Sequence, residues 1–161
     1  MRKKTKVTET AAPALFREEP AEFILPELSD HPLDDLFDEM EILDFTLSNP
    51  FQLVDDDPQK YQRSRDLEQY CGKSATVLAY FVNRKVVPTV RSEVMCFGTF
   101  LDVGLDWLDT VHFPSSLLRY PIEGRGFYRI TGKVVEEFGV FSIEVEKMIK
   151  VGYKQRKYAN L

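Results

Sequence analysis

The stretch Gly72-Lys-Ser-Ala-Thr-Val-Leu-Ala-Tyr-Phe-Val-Asn83 decides how this chain folds. Ala75, Val77, Ala79 and Phe81 alternate with Thr76, Leu78, Tyr80 and Val82. This is a period-2 strand with apolar residues on both faces. The small Ala79 in mid-strand permits a tight bend there. Four further strand patterns follow: Met95–Leu101, Trp107–Phe113, Gly126–Val135 and Val140–Met148. A polar hairpin arm from Asn83-Arg84-Lys85 to Arg91-Ser92-Glu93 joins the first two, and Pro88 assigns its middle to an edge or a loop. Asp102–Asp106 and Glu136-Glu137-Phe138-Gly139 read as turns. Between the third and fourth strands, Pro114-Ser115-Ser116 opens a short helical turn through Leu118 and Arg119.

Three strands, a brief helix and two more strands form the layout of a small closed barrel of the oligonucleotide-binding (OB) type. The expected fold is therefore mainly β with α appendages: a five-stranded OB-fold barrel preceded by a short acidic helical segment. Such a barrel is usually a binding platform and seldom a catalyst. Upstream, residues 1–22 are polar, Ala/Pro/Glu-rich and aperiodic, and read as a disordered tail. Phe23-Ile24-Leu25-Pro26 is an apolar strip able to dock on something. Ser29 or Asp30 can cap a helix entered at His31-Pro32. Leu33, Leu36, Phe37, Met40 and Leu43 recur in it at helical spacing, with acids opposite. Asp57-Pro58 suits the start of a second helix running to about Tyr70, with Gly72 placed to end it. The expected division is a tail over 1–22, an acidic helical connector over 23–70, the barrel over 71–153 and a frayed tail over 154–161.

Length sets one domain with appendages: 161 residues, 43% hydrophobic, with no apolar run near the roughly 20 residues that span a bilayer. The basic Met1-Arg-Lys-Lys-Thr-Lys6 has no apolar run after it and is no secretory signal. Two cysteines without zinc spacing, Cys71 and Cys96, fit a reduced cytoplasmic protein. The formal net charge of -5 argues against a protein that coats nucleic acid everywhere. Its distribution says more. Residues 1–70 carry 8 Lys+Arg against 17 Asp+Glu, and residues 71–161 carry 13 against 9. A mildly basic barrel thus follows a strongly acidic segment, which could fold over the arm and inhibit it.

The runs Gly72-Lys-Ser-Ala-Thr-Val, Met95-Cys-Phe-Gly-Thr-Phe-Leu-Asp102, Trp107-Leu-Asp-Thr-Val-His-Phe-Pro114 and Gly132-Lys-Val to Ser142-Ile-Glu-Val together resemble a known family. They are similar to the C-terminal OB-fold region of bacterial DNA polymerase III alpha subunits. The upstream run from Glu41 to Phe51 resembles the segment that precedes that region, with Asp44 where glycine is common. The resemblance covers about residues 20–151. It implies a non-catalytic single-stranded DNA-binding module, of or related to that subunit, which holds template during replication or repair synthesis. The polymerase palm, its metal-binding aspartates and the N-terminal phosphoesterase domain have no counterpart here. Gln52-Leu53-Val54 lacks the terminal aromatic of the family's clamp-binding peptide.

Barrels of this class hold single strands on the face of strands two and three, between the first and last hairpin loops. Tyr80, Phe97 and Trp107 are the candidates for stacking on bases. Arg84, Lys85, Arg91 and Lys133 are the candidates for phosphates, and Thr99 and Asn83 for added hydrogen bonds. The parity of Phe97 stays open, because a slip of one residue turns it into the core. Asp106 and Asp109 beside Trp107 would repel a phosphate. Arg84, Lys85 and Arg91 at both ends of one arm are the best candidates for a charge cluster.

Other chemistry is poorly supplied. Asp55-Asp56-Asp57 lacks the glycine and terminal glutamate of a calcium loop and reads as a capped turn. His31 and His112 stand alone, and His112 reads as a partly buried, hydrogen-bonded strand residue. No phosphate loop or nucleophile elbow is present. The expectation is no enzyme by itself, no cofactor and no metal, with single-stranded DNA as partner and other polymerase domains or replisome proteins as further partners. The alternative is a protein–protein interaction barrel, for fold alone does not give function.

Overall fold

A computed structural model describes residues 32–155. Its five strands are β1 (Ser74–Pro88), β2 (Val94–Asp102), β3 (Trp107–His112), β4 (Phe127–Glu137) and β5 (Val140–Val151). They close into a barrel in the order β1-β2-β3-β5-β4. Every neighbouring pair is antiparallel except β3 and β5, which run parallel over Asp109–Val111 and Ser142–Glu144. Helix α1 (Asp34–Leu43) precedes the barrel, and α2 (Pro114–Arg119) lies between β3 and β4. This is the mainly β, OB-like barrel that the strand pattern predicts.

The two apolar faces of β1 serve two separate cores. Ala75, Val77 and Ala79 point inward and join Phe100, Leu108, Tyr128, Ile130 and Ile143. Leu78 and Tyr80 point outward and pack with Leu36, Phe51, Leu53, Val54 and Phe127. Ala79 and Tyr80 pair with β4 on one side and with β2 on the other, so the strand changes partner where the small residue permits a bend. A β-bulge at Val82 follows, between the pairs Phe81↔Phe100 and Asn83↔Thr99.

The acidic segment is bound into the fold as a second layer over β1. Leu36 is buried, and Phe37 and Met40 are partly buried against the outer core, as the helical stripe predicts. Leu43 falls off that stripe and stays exposed. The helix starts at Asp34, later than His31-Pro32, because Pro32 and Leu33 form a turn. Its N-cap position holds Leu33 without a side-chain cap. Asp34 and Asp35 then meet the positive end of the helix dipole. Ser29, Asp30, His31, residues 1–22 and Phe23-Ile24-Leu25-Pro26 lie outside the described residues. Beyond α1, Asn49 Nδ2 donates to the carbonyl of Val103, and its Oδ1 caps the turn at Phe51.

The second expected helix is broken. Pro58–Lys60 and Ser64–Tyr70 are separate 3₁₀ turns. Between them Gln62 is drawn against β1: its N–H donates to the carbonyl of Thr76, and its Oε1 accepts the N–H of Thr76. The cap at Asp57 forms as expected on the N–H of Gln59. Gly72 ends the second turn with φ +77°. The C-terminal stretch is less frayed than predicted, since Lys154 N–H donates to the carbonyl of Leu53. Residues 156–161 lie outside the described residues.

Two polar side chains are fully buried in the barrel, Asp102 and His112. The Asp102 carboxylate is fully buried and accepts three backbone N–H bonds, from Ser64, Gly104 and Asp106 at 2.7–3.0 Å. It joins the β2–β3 turn to the 3₁₀ turn that runs into β1. His112 is fully rather than partly buried, with Nε2 2.9 Å from Thr110 Oγ1. The Thr110 hydroxyl donates to the carbonyl of Gly98, so Nε2 carries the proton and donates in turn. Nδ1 has no hydrogen-bond partner, and burial pushes the imidazole pKa down to about 4. Among the described residues no helix is long and apolar enough to cross a membrane, and both cysteines are free thiols.

Candidate nucleic-acid interface

Strand parity assembles the site. On β2, Cys96, Gly98, Phe100 and Asp102 turn inward, and Met95, Phe97, Thr99 and Leu101 turn outward. The cross-strand register then builds three outward rows: Tyr80–Leu101–Trp107, Asn83–Thr99–Asp109 and Lys85–Phe97–Val111. Phe97 therefore stands on the surface, 44% exposed, and Trp107 is 65% exposed. Four residues of β2 separate their rows, about 13 Å along the strand. A polar row lies between the two aromatics. Within it Thr99 Oγ1 donates to Asp109 Oδ1 at 3.1 Å. Asn83 Oδ1 accepts the N–H of Arg84, which fixes the amide at the bulge.

The expected residues divide into two groups. Phe97, Thr99, Trp107, Asn83 and Lys85 share this face. Tyr80 belongs to the same strand face by parity, but only 9% of it is exposed. It lies beneath α1, tilted against Phe127 with ring centroids 5.1 Å apart, and cannot stack on a base. Burial also pushes its phenol pKa up.

The arm cations do not cluster. Arg84 and Lys85 are neighbours on one strand and point to opposite sides. Arg84 lies on the reverse side and donates from Nη1 to the carbonyl of Ile122 at 3.0 Å. Arg91 sits in the turn beyond the closing pair Pro88↔Val94, three pairs past Lys85↔Phe97. Lys133 lies on β4, across the barrel, paired with Ser74 and Glu144. It lines a groove with α2 and not the β2–β3 face.

Phe138 was not among the expected stacking residues. It is fully exposed at the tip of the β4–β5 turn, with φ 54°. The parallel register Asp109↔Ser142 carries that turn toward the Trp107 end of the face. The signal available in the sequence was an aromatic in an otherwise polar hairpin loop. The same turn brings Glu136 and Glu137, so with Asp106 and Asp109 this end of the face is acidic.

The triple aspartate is occupied structurally. Asp57 caps a turn, and Asp56 accepts the hydroxyl of Tyr61 and faces Arg129 at 3.8 Å. The Tyr61 hydrogen bond holds the Asp56 carboxyl below its usual range. No group of three metal-ligating side chains occurs among the described residues. No protein-family model and no curated protein matches this chain.

Proposed function

We propose that this protein is a non-catalytic single-stranded DNA-binding module that lays a strand across the outer face of β2 and β3. The observation that carries the reading is the pair of solvent-facing aromatics, Phe97 and Trp107, on one face of an OB-like barrel, with a hydrogen-bonding row between them. Stacking on such platforms contributes roughly 1–3 kcal/mol per base and tolerates any sequence. Phosphate contacts contribute less here. Among the described residues only Lys85 and Arg91 border the face as cations, and two phosphate contacts would make log K fall against log salt with a slope of about -1.4. The resemblance of the barrel strands to the C-terminal region of DNA polymerase III alpha subunits supports a cytoplasmic role beside a polymerase, holding template during replication or repair synthesis.

The acids Asp106, Asp109, Glu136 and Glu137 at the Trp107 end favour a second reading, a barrel that binds a polypeptide on the same face. One titration separates the two. Labelled oligo-dT and a duplex of equal length are added to the full chain at two salt concentrations, following anisotropy and Trp107 fluorescence. Preference for the single strand with quenching of Trp107 supports the DNA reading. No binding at low salt removes it and leaves the polypeptide reading.

A further inference from the structure

A second surface lies at the edge of this face and has the opposite character. The loop Asp44–Asn49 leaves α1 and runs over the outside of β1 and β2. It forms one wall of an open groove of about 430 Å³, and Val82, Leu101 and Leu105 form the other. Two apolar side chains of its wall stand exposed among the described residues: Leu47 at 73% and Phe45 at 52%. Leu105 lines the groove from a left-handed backbone conformation, φ 64°. That conformation costs a leucine about 1 kcal/mol, and asparagine or glycine would adopt it more easily.

The groove wall is held in place. Arg125 Nη1 donates to the Asp44 carbonyl at 2.8 Å and pairs with its carboxylate at 3.1 Å. Leu47 N–H donates to Glu39 Oε2. The surroundings are strongly acidic. Asp35 and Glu41 lie on the adjoining helix, Glu39 of that helix holds the Leu47 N–H, Asp44 on the wall is paired with Arg125, and Asp106 follows Leu105.

We propose that this groove receives a basic, amphipathic segment of another protein, with apolar side chains between β1 and the 44–49 loop and Lys or Arg against the acids of α1. Charge complementarity selects this occupant. A nucleic-acid strand would meet the acids as like charges. The chain's own apolar strip, Phe23-Ile24-Leu25-Pro26, is flanked by Glu18, Glu19, Glu22, Glu27 and Asp30 and would be repelled in the same way. A basic helix with apolar residues at i, i+3, i+4 and i+7 satisfies both the groove and its rim.

The test is a ¹⁵N–¹H titration of the full chain with a synthetic 15-residue peptide carrying leucine at that spacing and lysine elsewhere. Two controls are a scramble of the same composition and a version with glutamate for lysine. The periodic lysine peptide should bind at least tenfold more tightly than either control. It should shift the amides of Leu43–Asn49, Leu101 and Leu105. Leu47→Asp and Leu105→Asn should each weaken it at least tenfold, and Leu105→Asn should leave the melting temperature unchanged or higher. Lys85→Glu, directed at the DNA face, should leave peptide binding unaltered, so failure of the DNA reading would show separately. Equal binding of the scramble, binding that survives both groove variants, or shifts centred on Phe97 would each overturn the proposal. A tenfold gain in peptide affinity on Phe23→Ser with Leu25→Ser would also overturn it, by showing the groove already filled in cis.

Discussion

The two halves of β1 face outward onto different worlds. Along the first half, Leu78 and Tyr80 are sealed under α1 and Phe51–Val54. Along the second half, Asn83, Lys85 and Val87 look into solvent beside Met95, Phe97 and Thr99. The backbone is continuous and the bulge at Val82 divides the two. Where the outward residues are apolar the strand is a joint between layers. Where they turn polar the strand becomes one rail of an open platform. Among the described residues, the acidic segment thus covers Leu78 and Tyr80, and α1 and Phe51–Val54 leave Asn83–Val86 exposed.

The sharpest contrast is in stability. Tyr80→Ala should cost about 3–5 kcal/mol, because it empties a site between two packed layers. Phe97→Ala and Lys85→Ala should stay within about 0.5 kcal/mol of the parent. Urea denaturation of the three variants checks this, and equal losses at Tyr80 and Phe97 would erase the distinction between covered and open halves.

Acid should act on the inner core through His112. The His112 pKa is lower in the folded chain, about 4, than the ordinary 6.5 it regains on unfolding. The unfolded chain therefore binds the extra proton first. Stability attributable to this group is complete above pH 6.5 and falls away as pH drops toward 4, by up to about 3 kcal/mol. Urea midpoints at pH 7 and pH 4.5 measure the loss. It should be smaller by most of that amount in His112→Leu, whose side chain does not titrate. A loss of the same size in the variant would mean that carboxylates, not His112, set the acid limit.

On the open half the readout is binding. Phe97→Ala and Trp107→Ala should each weaken oligo-dT by about 1–3 kcal/mol, which is roughly 5- to 150-fold, with the fold intact. The smallest effect separates the two arm cations. Lys85→Ala should weaken the oligonucleotide a few-fold and flatten its salt dependence by about 0.7 of a slope unit. Arg84→Ala should leave both nearly unchanged, since Arg84 is engaged with the Ile122 carbonyl on the other side of the ribbon. Equal effects from the two would show that the strand wraps the arm.

The barrel was legible because its signals are local. Alternation in Ala75–Val82, a proline-led helix at Pro114 and a glycine at a hairpin tip each act within a few residues. The site was legible only in part, for reasons that are not local. Whether Tyr80 is a platform or a buried contact depends on α1, 40 residues earlier in the chain, settling on it. Whether Arg84 or Lys85 faces outward depends on one extra residue at Val82, which resets the alternation, and no composition rule marks that bulge. Asp102 looked like the start of a turn. Its buried role needs Ser64, 38 residues away, to supply an N–H. The broken second helix is a similar case, for Gln62 is claimed by β1 before a regular helix can form.

The parallel seam between β3 and β5 has a kinetic consequence. Only Asp109–Val111 and Ser142–Glu144 join there, about 33 residues apart in sequence, whereas the other four seams close through hairpins or longer ladders. Three residue pairs give this seam the least ladder to break, so it should be the first to open in the native state. In hydrogen exchange, the amides bridging this seam should lose protection ahead of those between β4 and β5. A barrel that opens along that line would present the inner core, His112 included, to solvent while the β1–β2 and β2–β3 ladders under the platform stay paired.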